Sequence, residues 1–311
     1  MSLQETPNLF NDLYTKDVRV WAREKGFCGK NARIAVIDTG IIRQTEFLGR
    51  CVAKIPNTDL WRKNTTYEQD ASVGTHGTEV AVLIHLIAPE AIIYDVKAVA
   101  IAGTTIDQSI IAALKYCVDT IKPDIINMSL GTHQLAACDA NCALDQMVNY
   151  VADQGILIVA SAGNRGSQGP LACPASAQGA IAVGGASYKK KRAEPKVSDI
   201  SSWSWYEGKP DLLAPADIPV RVRYYHKLTA WMEITIDEAH LGTSYAAPFV
   251  TGALALLLQL KKQSKEPTKF YSDLRAAIIG SAKPLKGYSK QAQGNGLIDI
   301  PSAAKALGVK V

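Results

Sequence analysis

Arg33-Ile34-Ala35-Val36-Ile37-Asp38-Thr39-Gly40 is the stretch that decides the fold. Four consecutive apolar residues run into an acid, and a Thr-Gly turn follows. A strand with one wet face would alternate apolar and polar residues; this one does not, so both of its faces are buried. Strands of that kind belong to parallel sheets covered by helices on both sides. Asp38 then falls at the carboxyl edge of the strand, where open parallel sheets carry their sites.

Outward from this strand the same signature recurs. Residues 124–129 form a buried strand that leads into Leu130-Gly131, and residues 156–161 form another that leads into Ala162-Gly163-Asn164. Residues 180–183 are a fourth, residues 92–99 are strand-like, and residues 51–55 make a short strand. Helical patterns separate them: residues 18–25, 80–87, 106–120 and 139–153, the last ended by Gly155. This alternation predicts an α/β fold with a doubly wound, mostly parallel sheet flanked by helices. After Pro215 the pattern changes. Residues 218–225 and 231–236 alternate like antiparallel strands joined through Lys227-Leu228-Thr229, a small hairpin in the C-terminal third. Residues 270–281 and 301–307 are closing helices. No repeat or linker divides the chain, so one domain is expected over residues 1–311, with its core at about 18–307.

Composition narrows the function classes. A net charge of +5 with no basic stripe interleaved with aromatics gives no footprint for nucleic acid. The N-terminus lacks the basic start and apolar core of a signal peptide. The longest apolar run, residues 246–260, is too short and too interrupted for a bilayer. The expectation is a monomer without membrane association, cytoplasmic in the form given. Six cysteines in 311 residues do not make a disulfide scaffold. Cys51 and Cys117 sit in apolar contexts as buried thiols. The Cys138–Cys142 spacing leaves a local disulfide open, but no second ligand pair stands nearby, so free thiols and no metal are expected. Lys189-Lys190-Lys191-Arg192 reads as a solvated loop.

Gly242-Thr243-Ser244-Tyr245-Ala246-Ala247-Pro248 opens the longest apolar helix, with Pro248 expected in its first turn. A hydroxyl at a helix N-terminus meets free N–H groups and the positive end of the dipole. Ser244 alone is a weak nucleophile, but three other polar residues stand at structured places. Asp38 and Asn164 end strands, and His76 opens a helix within Gly74-Thr75-His76-Gly77-Thr78. A carboxylate to orient an imidazole, an imidazole to take a serine proton and an amide to meet an oxyanion are the parts of acyl transfer.

At this point the chain resembles the subtilisin-like serine proteases, the subtilases. The chain order Asp, His, Ser is that of subtilisin itself. Ile34 to Gly40 resembles the family's aspartate motif, His76-Gly77-Thr78 its histidine motif, Ala162-Gly163-Asn164 its oxyanion motif, and Gly242 to Pro248 its serine motif. Asn127-Met128-Ser129-Leu130-Gly131 resembles the family strand that pairs with bound peptide. The resemblance implies a serine endopeptidase acting on polypeptides, with Asp38, His76 and Ser244 as triad and Asn164 in the oxyanion hole. It further implies that peptide lies extended against Ser129, Leu130 and Gly131, and against Gly103 and Thr104, as an added strand. Ala162, Gly163 and Arg165 would stand around the pocket for the side chain before the cut; a guanidinium at its mouth would suit an acidic residue, and the alternative is a broad apolar pocket built from Leu130, Ala160, Ala162 and Ala172. No cofactor is implied for the chemistry. Structural calcium is common in the family, but the helix from His76 runs into Ala88-Pro89 without room for the loop that helps bind it in many relatives. Three departures stand out: Glu79 replaces a second histidine, Tyr245 replaces the methionine after the serine, and residues 216–241 are longer than the usual connection.

Overall fold

The computed structural model describes residues 13–42, 48, 52–53, 75–99, 107–131, 141–164, 171, 173–189, 196–200, 210–216, 220–226, 230–236, 242–263 and 270–309. In chain order the elements are α1 (Leu13–Glu24), β1 (Arg33–Asp38), β2 (Val52–Ala53), α2 (Thr75–Ile87), β3 (Ile92–Lys97) and α3 (Asp107–Tyr116). Next come β4 (Ile125–Met128), α4 (Ala143–Asp153), β5 (Leu157–Ser161), β6 (Ala180–Lys189), β7 (Lys196–Ile200) and β8 (Leu212–Pro215). The chain closes with β9 (Val220–His226), β10 (Ala230–Ile236), α5 (Thr243–Leu257), α6 (Phe270–Gly280), α7 (Lys290–Gln293) and α8 (Ile300–Ala306).

The sheet has the order β2-β3-β1-β4-β5-β6-β7, and β8 also pairs with β6. Every pair in it is parallel except β6 with β7. The mostly parallel, helix-flanked sheet expected from the sequence is therefore the fold. Alternate side chains of each central strand feed two different cores. Ile34 and Val36 of β1 and Leu157 and Val159 of β5 point to one side. Ala35 and Ile37, with Ile158 and Ala160, point to the other. This is why those strands read as unbroken apolar runs. Ile34 and Ile37 are wholly buried. Truncating either to alanine would cost about 2–5 kcal/mol.

The first core is built on α5, which packs on β4, β5, β6 and β8 and against α2. With the helical turn that follows, Thr243–Leu260 is apolar and long enough to cross a membrane, but 89% of it is buried inside the protein. It is the central helix of the fold. The second core lies under α3 and α4.

Several boundaries differ from the sequence expectation. α5 begins at Thr243, so Pro248 lies in its second turn rather than its first. Pro248 has no N–H to give the Ser244 carbonyl, its partner four residues back. β6 extends to Lys189, well past residue 183, because β7 and β8 pair with its second half. Neither β7 nor β8 was anticipated; β8 is only four residues long, and its burial comes from β6 and the chain near Leu297. α4 begins at Ala143, where the Cys142 sulfur accepts from the Asp145 N–H. β9 and β10 pair antiparallel as a separate two-stranded sheet whose backbone lies against α2.

Candidate active site

Asp38, the last residue of β1, and His76, the second residue of α2, meet at the carboxyl edge of the sheet. His76 Nδ1 lies 2.8 Å from Asp38 Oδ1, and the Thr39 N–H donates to the same oxygen at 2.7 Å. Two side-chain hydroxyls fix the approach of α2 to the end of β1. The Gly77 N–H donates to Thr39 Oγ1 at 3.0 Å, and the Ile42 N–H to Thr78 Oγ1 at 2.9 Å. Gly77 is required here because a Cβ at this position would collide with the Gly40 carbonyl oxygen. Asp38 is almost wholly buried, whereas the His76 side chain keeps 34% of its exposure. The imidazole therefore has one edge on the carboxylate and another toward solvent.

Burial by itself would push the His76 pKa down, since it penalises the charged ring. The charge of Asp38, its hydrogen bond, and the charge of Glu79 outweigh burial and raise the pKa from 6.5 to about 9. The site thus favours an imidazolium, the species formed when His76 takes a proton.

Ser244 enters from α5. Its hydroxyl donates to the Ser129 carbonyl at 3.1 Å, and no hydrogen bond joins it to His76. Hydroxyl and imidazole contacts of this kind commonly tighten only when substrate is bound. The next residue, Tyr245, carries its ring 6.0 Å from the His76 ring. Thus the third residue of α5 faces the start of α2, and the second bonds to Ser129, just past the end of β4.

Asn164 follows β5, three residues past its end. Its Oδ1 accepts from the Thr243 N–H at 2.9 Å and lies 3.1 Å from Thr243 Oγ1. Thr243 Oγ1 also accepts from the Gly163 N–H at 3.0 Å. The carbonyl end of the amide is therefore engaged, and Nδ2 is the end left to donate. A Cβ on Gly242 would stand 3.0 Å from that nitrogen and would press the amide to shift by a few tenths of an ångström. Ala162 is buried and Gly163 half-buried beside Asn164, while Leu130 is half-buried and Gly131 exposed beyond Ser129. Gly103, Thr104 and Arg165 lie outside the described residues, as do the side chains of Tyr224, Tyr225, Trp231, Ile234 and Ile236 in the hairpin.

Two groupings escaped the sequence reading. Tyr245 Oη donates to Glu79 Oε2 at 2.8 Å, joining two residues 166 positions apart. Cys142 and Cys173 bring their sulfurs to 3.1 Å, with Asp145 Oδ2 3.3 Å and 3.2 Å from them and Ser176 Oγ 2.9 Å from Asp145 Oδ1. Cys142 thus meets a cysteine 31 residues on; its alternative partner, Cys138, lies outside the described residues. Among the described residues this is the one group with three candidate metal ligands. Two thiols and a carboxylate are not the all-oxygen set that calcium takes. The sulfurs are also closer than the roughly 3.7 Å that two thiolates keep on a tetrahedral zinc with bonds of about 2.3 Å.

Comparison with known proteins places this geometry in a family. The Subtilase family profile (Peptidase_S8) matches residues 29–296. Subtilisin DY of Bacillus licheniformis is 29% identical over 293 residues, covering 90% of this chain and 93% of the relative. Subtilisin E of Bacillus subtilis (strain 168) is 30% identical over 292 residues, covering 90% and 68%. Among solved structures, the prenylagaramide maturation protease PagA superposes with a TM-score of 0.68 over 95% of this chain and 99% of that one, at 23% identity, a likeness of fold. Relatives of this family need no cofactor for their chemistry, and many hold structural calcium. The chain belongs to the subtilase family and is a serine peptidase.

Proposed function

We propose that the protein is a serine endopeptidase whose acyl-enzyme forms on Ser244. The carrying observation is the 2.8 Å contact of His76 Nδ1 with buried Asp38, at the edge where Ser244 and Asn164 also stand. In this reading a rotation of the Ser244 hydroxyl from the Ser129 carbonyl toward His76 Nε2 begins the reaction. Ser244 Oγ then attacks the scissile carbonyl carbon while its proton passes to Nε2. Asp38 holds Nδ1–H and stabilises the imidazolium. The negative oxygen of the tetrahedral intermediate takes hydrogen bonds from Asn164 Nδ2 and the Ser244 N–H at the start of α5. His76 next protonates the leaving amine. Water repeats the sequence on the acyl-enzyme and frees Ser244.

The polypeptide lies extended as an added strand along Ser129, Leu130 and Gly131; Gly103 and Thr104, which the family resemblance assigns to the same cleft, lie outside the described residues. Ala162 and Gly163 border the pocket for the residue before the cut. Two preferences follow from the family resemblance: an acidic one if Arg165, outside the described residues, lends its charge to that pocket, and a broad apolar one if Leu130, Ala160 and Ala162 line it.

The test is labelling with a fluorophosphonate followed by mapping of the modified peptide, together with cleavage of a peptide library read by mass spectrometry. Modification on Ser244 and internal cleavage are expected, and both should vanish in Ser244→Ala. The kcat loss should be on the order of 10⁶, the size known for subtilisin itself. Label on another residue, or cleavage surviving in the variant, would overturn the assignment.

A further inference from the structure

The two motif positions at which this chain departs from its family, Glu79 and Tyr245, are partners in the fold. Glu79 lies three residues after His76 on α2, a spacing that puts both side chains on one helix face. Tyr245 directly follows Ser244 on α5. Its hydroxyl donates to Glu79 Oε2 at 2.8 Å, and its ring stands 6.0 Å from the His76 ring. Glu79 and Tyr245 are both buried, with 7% exposure each. A carboxylate in such a place is tolerated only with a hydrogen-bond donor, which Tyr245 supplies.

We propose that Glu79, fixed by Tyr245, is a positioning residue of the catalytic centre, a second buried carboxylate that acts through His76 by stabilising its imidazolium. The proposal rests on His76 being the general base. The surroundings bear it out in kind. The Glu79 charge acts on His76 of the same helix and on Tyr245 of α5, and both of these also feel Asp38 on β1. Arg19 of α1 pairs its influence with His85, further along α2. His76 answers the Glu79 charge with a positive one, and a second buried cation, Lys97, stands at the register position of Asp38 on the neighbouring strand β3. Asp38 already has two donors on Oδ1, while its buried Oδ2 has no partner among the described residues. A second negative charge near the ring therefore adds to a field that Asp38 sets up, and Tyr245 ties that charge to the helix that carries the nucleophile. A histidine and a methionine, the usual family pair, could not supply it.

A purely structural tie between α2 and α5 makes a different forecast, so the test reads the His76 titration itself. Ring-labelled histidine NMR follows His76 against pH, its signal assigned by loss in His76→Gln. The variants are Glu79→Gln, which keeps shape and removes charge, Tyr245→Phe, and Glu79→Asp. In parallel, the rate of fluorophosphonate labelling is measured against pH. Glu79→Gln should lower the His76 midpoint by about half to one pH unit. Its labelling rate below the midpoint, relative to its own plateau, should rise about three- to tenfold. Tyr245→Phe should move the midpoint the same way by a smaller step, and Glu79→Asp should restore most of it. An unchanged His76 midpoint in folded Glu79→Gln, or in Tyr245→Phe if the first variant does not fold, overturns the proposal. Failure of the wild type to label on Ser244 would instead strike the endopeptidase reading, while the NMR midpoints would still decide the role of Glu79.

Discussion

Thr243 holds the Asn164 side chain from two directions: its backbone N–H donates to Oδ1 at 2.9 Å, and its hydroxyl lies 3.1 Å from the same oxygen. The residue before Ser244 thus orients the amide that the proposed mechanism aims at the oxyanion. Thr243→Val keeps the N–H and removes the hydroxyl. One neutral hydrogen bond is worth about 0.5–1.5 kcal/mol, so kcat should fall roughly two- to tenfold with KM nearly constant. Losing the Thr243 Oγ1 acceptor of the half-buried Gly163 N–H should cost about 0.5–1.5 kcal/mol of stability in a denaturant titration. An unchanged kcat in a destabilised variant would separate Thr243 from the oxyanion.

Asn164→Leu should lower kcat by about 10²–10³ and leave KM nearly unchanged, the size known for the oxyanion asparagine of subtilisin. Gly242→Ala crowds the same amide nitrogen from the other side, with the new Cβ 3.0 Å away. It should reduce kcat in the wild-type background and do little further in Asn164→Leu, since both changes act on one group. Fully multiplicative losses in the double variant would count against a shared target.

The pH profile should carry the sign of the His76 shift. The neutral ring is the base, so kcat/KM should rise with pH, with its acid-limb midpoint between the ordinary 6.5 and about 9. Stability should run the other way. A histidine whose folded pKa is raised stabilises the fold fully below 6.5, and that contribution is lost as pH climbs through about 9. The Tm difference between wild type and His76→Gln should shrink from pH 6 to pH 9.5. A difference that grows over this range would refute the assignment of the ion pair.

Cys142 and Cys173, with sulfurs 3.1 Å apart, need an approach of about 1 Å to reach the roughly 2.05 Å of a disulfide. Burial and Asp145 hold the Cys142 thiol above its ordinary pKa, so oxidation should be slow at neutral pH and faster when alkaline. Peptide mapping after mild oxidation should find the 142–173 crosslink, and Tm should rise, since the closed loop restricts the unfolded chain. Loss of both thiols without that crosslinked peptide would be the contrary result.

Much of this protein is written in its local pattern. The runs 34–37 and 156–160 specify buried parallel strands because each side chain must enter one of two cores, whichever way it points. Asp38, Ser129 and Asn164 could be set near the carboxyl ends of strands for the same reason, and the small residues around Ser244 marked the opening of a buried helix. Short motifs of this sort hold their geometry within a few residues of chain. β8 was not legible, because four apolar residues become a strand only when β6 lies beside them. The turn holding Pro248 was misread because α5 starts where Asn164 caps the Thr243 N–H, a contact across 79 positions. Glu79 and Tyr245 each looked like an isolated departure from the family. Their hydrogen bond, and the meeting of Cys142 with Cys173, depend on helices packed across the sheet and against each other. Sequence determined which residue types were present and on which local element each stood. Only the tertiary structure decided which of them share a buried, low-dielectric space, where a hydrogen bond or a charge has its full effect.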